Sequence, residues 1–291
     1  MISFLTVRSV WTRFGCGEFQ RSLFVISFLL PTLLMAQQVA RVSPDGTKFW
    51  AYTPTSYDED DPTGSPLLIA LHGGSGIGDD LDILTTNKNA NDRWHLTPAR
   101  LIYQDRWNTD LPFVVISPQL KRDESIPNYN NQTWPVTIVD EVLEFVKDEY
   151  NIDETRIYLT GISLGGNGVW SYAANFPSKV TAIAPMSGVT DAGLACQLKD
   201  MPVWAFHGEN DALVRPQFSI DMVNSILTCN PPGAYKAHLS LIPSRYHEGW
   251  NEIYDGSSTY DLYSWFLKFS KGDNSNKSPF VTAGGDRLIA L

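Results

Sequence analysis

From residue 48 onward, short apolar runs alternate with stretches whose apolar side chains recur every three or four positions. Residues 48–54 read as an edge strand. Pro66-Leu67-Leu68-Ile69-Ala70-Leu71 and Phe113-Val114-Val115-Ile116-Ser117 are continuous apolar runs, the pattern of strands buried on both faces. Between residues 136 and 150 the period changes. Ile138, Val142, Phe145, Val146 and Tyr150 fall on one side of a helix. Residues 156–160 form the next strand, and a helix of small residues follows over 164–175, closed by Pro177. Further strands are expected at 182–186, 202–206 and 238–242, with a last helix over 258–269. Strands alternating with helices predict an α/β architecture, a mostly parallel sheet with helices on both faces. In such sheets, function sits beyond the carboxyl ends of the strands.

The two ends of the chain depart from this pattern. Arg13 and Arg21 precede an apolar run, residues 23–35, that ends in Leu34-Met35-Ala36. A basic region, an apolar run and a small-residue exit describe an export signal. The run is short of the roughly 20 apolar residues that a membrane span needs, and no Cys follows it to carry a lipid. Residues 1–36 are therefore read as a signal peptide, and the mature chain as secreted or periplasmic without a stable membrane anchor. Residues 37–270 read as one catalytic domain, and the polar stretch 271–278 as a linker.

Composition narrows the partners. With 43% hydrophobic and 12% aromatic residues the chain has the makings of a packed core and not of a disordered segment. A formal charge of −10 argues against nucleic acid and anionic membrane surfaces, which require clustered Lys and Arg. The run Asp58-Glu59-Asp60-Asp61 precedes Pro62 and Gly64 and reads as a solvated loop, not a calcium site. No His/Asp cluster points to a metal, and no cofactor is expected. Cys16 lies in the removable segment. Export would permit Cys196 and Cys229 to pair, but sequence alone does not bring them together, and two buried free thiols is the reading adopted.

The candidate chemistry centres on Gly161-Ile162-Ser163-Leu164-Gly165, a G-x-S-x-G run between an apolar strand and a helix. The glycines permit a turn too tight for Cβ atoms, and the turn pushes the Ser163 hydroxyl out of the sheet beside the positive end of a helix. A serine hydroxyl needs a base near neutral pH. Of the five histidines, His72 and His207 end strands in Gly turns and read as structural. His95 lies in a polar loop and His238 begins a strand. His247 follows the last apolar strand and is the expected base. The imidazole in turn needs a carboxylate. Asp211, in the loop after strand 202–206, is the choice, with Glu209 the nearest rival and Asp191 the next. For the oxyanion, one donor is expected from the Leu164 amide. The other should come from His72-Gly73-Gly74-Ser75-Gly76, with Gly74 preferred and Gly73 or Ser75 open.

Several segments together resemble a family. Leu71-His72-Gly73-Gly74, Pro118-Gln119-Leu120, the stretch 156–166, Pro202-Val203-Trp204-Ala205-Phe206-His207-Gly208 and His247-Glu248-Gly249-Trp250 look like the phospholipase/carboxylesterase-type α/β-hydrolases. Their relatives include predicted peptidases, dienelactone hydrolase and feruloyl esterase. The match runs from about residue 49 to 269. It implies the α/β-hydrolase fold, chain order Ser…Asp…His, and a Ser163–Asp211–His247 triad. It departs from many relatives in having Leu164 where they carry Met.

The expectation is a secreted serine carboxylesterase acting on a small-molecule or polysaccharide-linked ester. A serine peptidase of the same fold and an inactive binding module are the rivals. Trp134 and Trp250 are candidate cleft residues; Trp170 is at least as well explained by core packing. Separately, residues 277–286, with Pro279 and Ala283-Gly284-Gly285-Asp286, resemble the opening of a PKD-type immunoglobulin-like repeat cut short at Leu291.

Overall fold

A computed structural model describes residues 38–86, 96–126 and 132–273. The leader, His95 and the PKD-like tail lie outside the described residues. The described chain forms one eight-stranded sheet: β1 (Gln38–Val42), β2 (Lys48–Tyr52), β3 (Ser65–Leu71), β4 (Val114–Pro118), β5 (Ile152–Ile162), β6 (Ala182–Met186), β7 (Trp204–Gly208) and β8 (His238–Ile242). Their spatial order is β1-β2-β4-β3-β5-β6-β7-β8. The pairs β1–β2 and β2–β4 are antiparallel, and every other neighbouring pair is parallel. Among the described residues seven α-helices accompany the sheet: α1 (Asp82–Thr85), α2 (Pro98–Tyr103), α3 (Val136–Glu149), α4 (Leu164–Asn175), α5 (Gln217–Leu227), α6 (Trp250–Tyr254) and α7 (Leu262–Phe266).

The strands carry apolar side chains to both faces because both are covered. Leu67, Ile69 and Leu71 of β3 point into a core closed by α3, α4 and α5, which also holds Val142, Val146, Val169, Met222 and Ile226. Leu68 of the same strand points the other way, toward Trp107, Trp250, Tyr263 and Phe266 around α6 and α7. One strand thus feeds two cores, which the unbroken apolar run anticipates.

Several features differ from the apolar pattern. Residues 48–52 do not form the edge; β1 pairs outside them, through Val39↔Ala51 and Arg41↔Phe49. Helix α5 is unassigned by the pattern although Ser219, Met222, Val223 and Ile226 make its buried stripe. The last helix is shorter than residues 258–269, because Asp261 caps it by accepting from the Ser264 amide. At the other boundary, Lys271, read as the start of a linker, is tied to the domain. Its amide donates to the Thr155 carbonyl and its Nζ to the Lys179 carbonyl.

The cysteines also require a correction. Cys196 and Cys229 form a disulfide, with Cα atoms 5.6 Å apart, and are not free thiols. The cause is the missed helix. α5 carries the chain back beside the 3-10 segment Ala192–Leu198, which places Cys229, just past α5, within disulfide reach of Cys196. The bond closes a loop of sequence separation 33, for which the chain-entropy relation gives a stabilisation of roughly 3–4 kcal/mol. Cys229→Ser, or reduction, is expected to lower the melting temperature by about 6–16 °C, at 2–4 °C per kcal/mol for a domain of this size. Reduced and oxidised melting curves that superimpose would rule this out.

Candidate active site

The chain runs from β3 outward to β4 and then returns to the other side of β3 to lay down β5. The carboxyl ends of β3 and β5 are therefore where successive connections leave in opposite directions, and a crevice opens there. Leu71 is paired with Gly161 across these strands, so the His72 loop and Ser163 emerge side by side. Ser163 links β5 directly to α4 with φ 52° and ψ −118°, a region that non-glycine residues rarely occupy. Its amide donates to the Met186 carbonyl at 2.8 Å, and its own carbonyl accepts from the Asn167 amide at 3.1 Å. Gly165 lets α4 sit against the end of β3. A Cβ there would lie 2.1 Å from the Leu71 carbonyl oxygen and 2.7 Å from that of His72.

His247 lies in the loop between β8 and α6. Its Nε2 is 2.8 Å from Ser163 Oγ, and its Nδ1 is 2.6 Å from Asp211 Oδ2. Asp211 follows β7, buried at 4% exposure. Its other oxygen, Oδ1, accepts from the Leu213 and Val214 amides, both at 2.9 Å. Burial pushes the Asp211 pKa up, but hydrogen bonds from His207, His247 and the Val214 amide outweigh it and hold the carboxyl well below the usual carboxylate range. An ionised Asp211 accepts a hydrogen bond from His247 Nδ1–H and leaves the Nε2 lone pair facing the Ser163 hydroxyl.

Both rival acids lie elsewhere. Asp191 caps the 3-10 segment by accepting from the Gly193 amide at 2.8 Å, and Glu209 is on the exposed surface.

The oxyanion candidates flank Ser163. Leu164 is the first residue of α4, where helix amides lack intrahelical acceptors. Gly74 opens a 3-10 turn, Gly74–Gly76. The loop lies against Ser163, since a Cβ on Gly73 would be 3.5 Å from Ser163 Cβ.

The two indoles read as cleft residues are placed differently. Trp134 and Trp250 are 3% and 2% exposed. Trp134 Nε1 donates to the His72 carbonyl at 3.2 Å, and the Trp250 ring stands edge-on to His247 with centroids 5.2 Å apart. Both buttress the site from behind. Trp170 is core, at 1% exposure.

His207, read as a structural strand end, reaches the site as well. Its Nε2 lies 2.8 Å from the Val214 carbonyl and 3.4 Å from Asp211 Oδ2, and its Nδ1 lies 2.7 Å from Ser219 Oγ. A carbonyl only accepts, so Nε2 carries the proton and faces the carboxylate with it. The sequence signal was a His four residues before the acid, on the same strand end.

Among the described residues no group of His, Cys, Asp and Glu is arranged to hold a metal ion, and no helix is long and apolar enough to cross a membrane.

The family model for Esterase ("Putative esterase") matches residues 44–221, more than half of the chain. That span holds the His72 loop, Ser163 and Asp211; His247 lies beyond it. A bifunctional acetylxylan esterase/xylanase of Neocallimastix patriciarum is 29% identical over 156 residues, which is 53% of this chain and 20% of that protein. Feruloyl esterase D of Neurospora crassa is 30% identical over 95 residues, 31% of this chain and 33% of that one. The chain thus spans a third or less of the length of these relatives. Among solved structures, a thermostable esterase superposes with a TM-score of 0.60 at 24% identity, covering 81% of this chain and 63% of that chain. That likeness shows the shared α/β-hydrolase fold.

Proposed function

The chain belongs to the esterase family whose model it matches, and on that premise we propose that it is an exported serine carboxylesterase. The observation that carries the reading is the unbroken line from Ser163 Oγ to His247 Nε2 at 2.8 Å and from His247 Nδ1 to Asp211 at 2.6 Å. In this reading His247 removes the Ser163 proton as the oxygen attacks the ester carbonyl. The Leu164 and Gly74 amides receive the developing oxyanion. His247 then returns the proton to the leaving alcohol, and water hydrolyses the acyl-enzyme by the same steps in reverse roles. The ionised Asp211 stabilises the imidazolium formed in each half. No cofactor takes part in these steps.

Export is supported by the leader pattern and by the Cys196–Cys229 disulfide, which an oxidising compartment favours. The relatives named for acetylxylan and feruloyl esters support an acyl group carried on a polysaccharide as the substrate.

A panel of p-nitrophenyl acetate, acetylated xylo-oligosaccharides, feruloylated arabinose and a peptide p-nitroanilide tests the reading. Ester turnover is expected to exceed anilide turnover in kcat/KM by at least about 10³, because amide cleavage must also protonate a poor leaving group. Equal rates on the anilide would make the chain a peptidase; no turnover of any ester by protein that melts cooperatively would make it a binding module.

A further inference from the structure

The Pro118-Gln119-Leu120 segment and His72 have no part in the mechanism above, yet they hold the loop on which it depends. His72 is 3% exposed. Its Nε2 lies 2.9 Å from the Leu120 backbone nitrogen. A backbone amide can only donate, so Nε2 is the unprotonated nitrogen and Nδ1 carries the proton. Nδ1 lies 2.6 Å from the Gly73 carbonyl oxygen, which also accepts from the Gly76 amide at 3.0 Å.

The consequence follows from peptide geometry. In a planar trans peptide the C=O of one residue and the N–H of the next point in opposite directions. Pinning the Gly73 carbonyl to the buried ring turns the Gly74 N–H away from it, and Gly74 itself faces open space, where a Cβ would meet nothing within 4 Å. Neighbouring bonds hold the loop to the same segment. Gln119 Nε2 donates to the Gly76 and Asp80 carbonyls at 3.1 and 2.9 Å, and the Gly78 amide donates to the Leu120 carbonyl at 2.9 Å. Gly76 packs closely against the ring, where a Cβ would lie 2.3 Å from His72 Nδ1.

We propose that His72, with its tautomer set by the Leu120 amide, is a positioning residue for the oxyanion site. It fixes the Gly73–Gly74 peptide so that the Gly74 N–H is aimed before substrate arrives. The inference rests on the esterase reading of Ser163.

Two substitutions separate the halves of the imidazole. In His72→Asn the side-chain amide nitrogen takes the place of Nδ1 and still donates to the Gly73 carbonyl. In His72→Gln the amide reaches the Nε2 position and serves the Leu120 amide, leaving the Gly73 carbonyl unpinned. His72→Gln is expected to lose roughly 30- to 300-fold in kcat with KM within about threefold, the scale of one oxyanion donor. His72→Asn is expected to keep at least about ten times more kcat than His72→Gln. Affinity for an alkyl boronic acid, whose tetrahedral adduct places an oxygen where the oxyanion forms, should fall in step with kcat/KM. Gly76→Ala, which pushes on the ring without removing it, should weaken boronate binding in the same direction.

Equal kcat in the Asn and Gln variants, or a Gly76→Ala protein that binds the boronate like wild type, would overturn the proposal. Failure of wild type itself to bind boronate or hydrolyse esters would instead remove the esterase reading beneath it.

Discussion

Replacing Ser163 with alanine is expected to abolish nearly all ester hydrolysis, a loss of roughly 10⁴- to 10⁶-fold in kcat by comparison with other serine triads. The expectation follows from the division of labour at the site. Ser163 supplies the attacking oxygen, and without it His247 and the oxyanion amides can only assist water. The variant should fold at least as well as wild type. Ser163 sits at φ 52°, a strained conformation that alanine must also adopt, but the lost hydroxyl is partnered by His247 and not by the core. Steady-state turnover of p-nitrophenyl acetate by purified protein, with circular dichroism to show the fold, checks this. Retention of more than about a tenth of wild-type turnover is incompatible with a Ser163 nucleophile.

The second large effect concerns the pair behind the serine. His247→Ala should match Ser163→Ala, since base and nucleophile act as one unit. Asp211→Asn should cost less, roughly 10²- to 10⁴-fold, because it disturbs the His247 tautomer and imidazolium while leaving the base in place. Asp191→Asn and Glu209→Gln should be mild, since one side chain caps a 3-10 turn and the other is exposed. A severe Asp191→Asn beside a mild Asp211→Asn would move the acid to the loop after β6.

The same substitution has a signature in stability. The Asp211 pKa is depressed in the folded chain, so its contribution is fully present above the ordinary aspartate value near 3.9 and is lost as pH falls toward the folded value. The gap in melting temperature between wild type and Asp211→Asn should therefore be widest near neutral pH and narrow below about pH 4. A gap that widens on acidification would mean that Asp211 is not held as a carboxylate.

The parts of the site that the sequence displayed are those with local causes. A strand that must end in a turn too tight for Cβ atoms writes itself as Gly161-Ile162-Ser163-Leu164-Gly165, and that turn has φ 52° at Ser163. The buried parallel strands were legible because burial on two faces leaves no room for polar positions. What stayed hidden depends on which elements pack together. Cys196 and Cys229 meet only because α5 returns beside the 3-10 segment. The chain pattern gave no reason for β1 to add outside β2. His207 and His72 resemble any strand-end histidine until the Val214 carbonyl, the Ser219 hydroxyl and the Leu120 amide are seen to fix their protons. Trp134 and Trp250 look like cleft residues by proximity in sequence, yet they support the His72 loop and the His247 ring from the buried side.

The central claim is that His247 activates Ser163 as a nucleophile. Covalent labelling with a fluorophosphonate, read by intact mass and peptide mapping, tests it most directly, because the reagent reports an activated serine whatever the natural ester is. One adduct per chain is expected, on Ser163, formed rapidly in wild type and at least about 10³-fold more slowly in His247→Ala. An unlabelled wild-type chain, an adduct on another residue, or equal labelling rates in wild type and His247→Ala would contradict it.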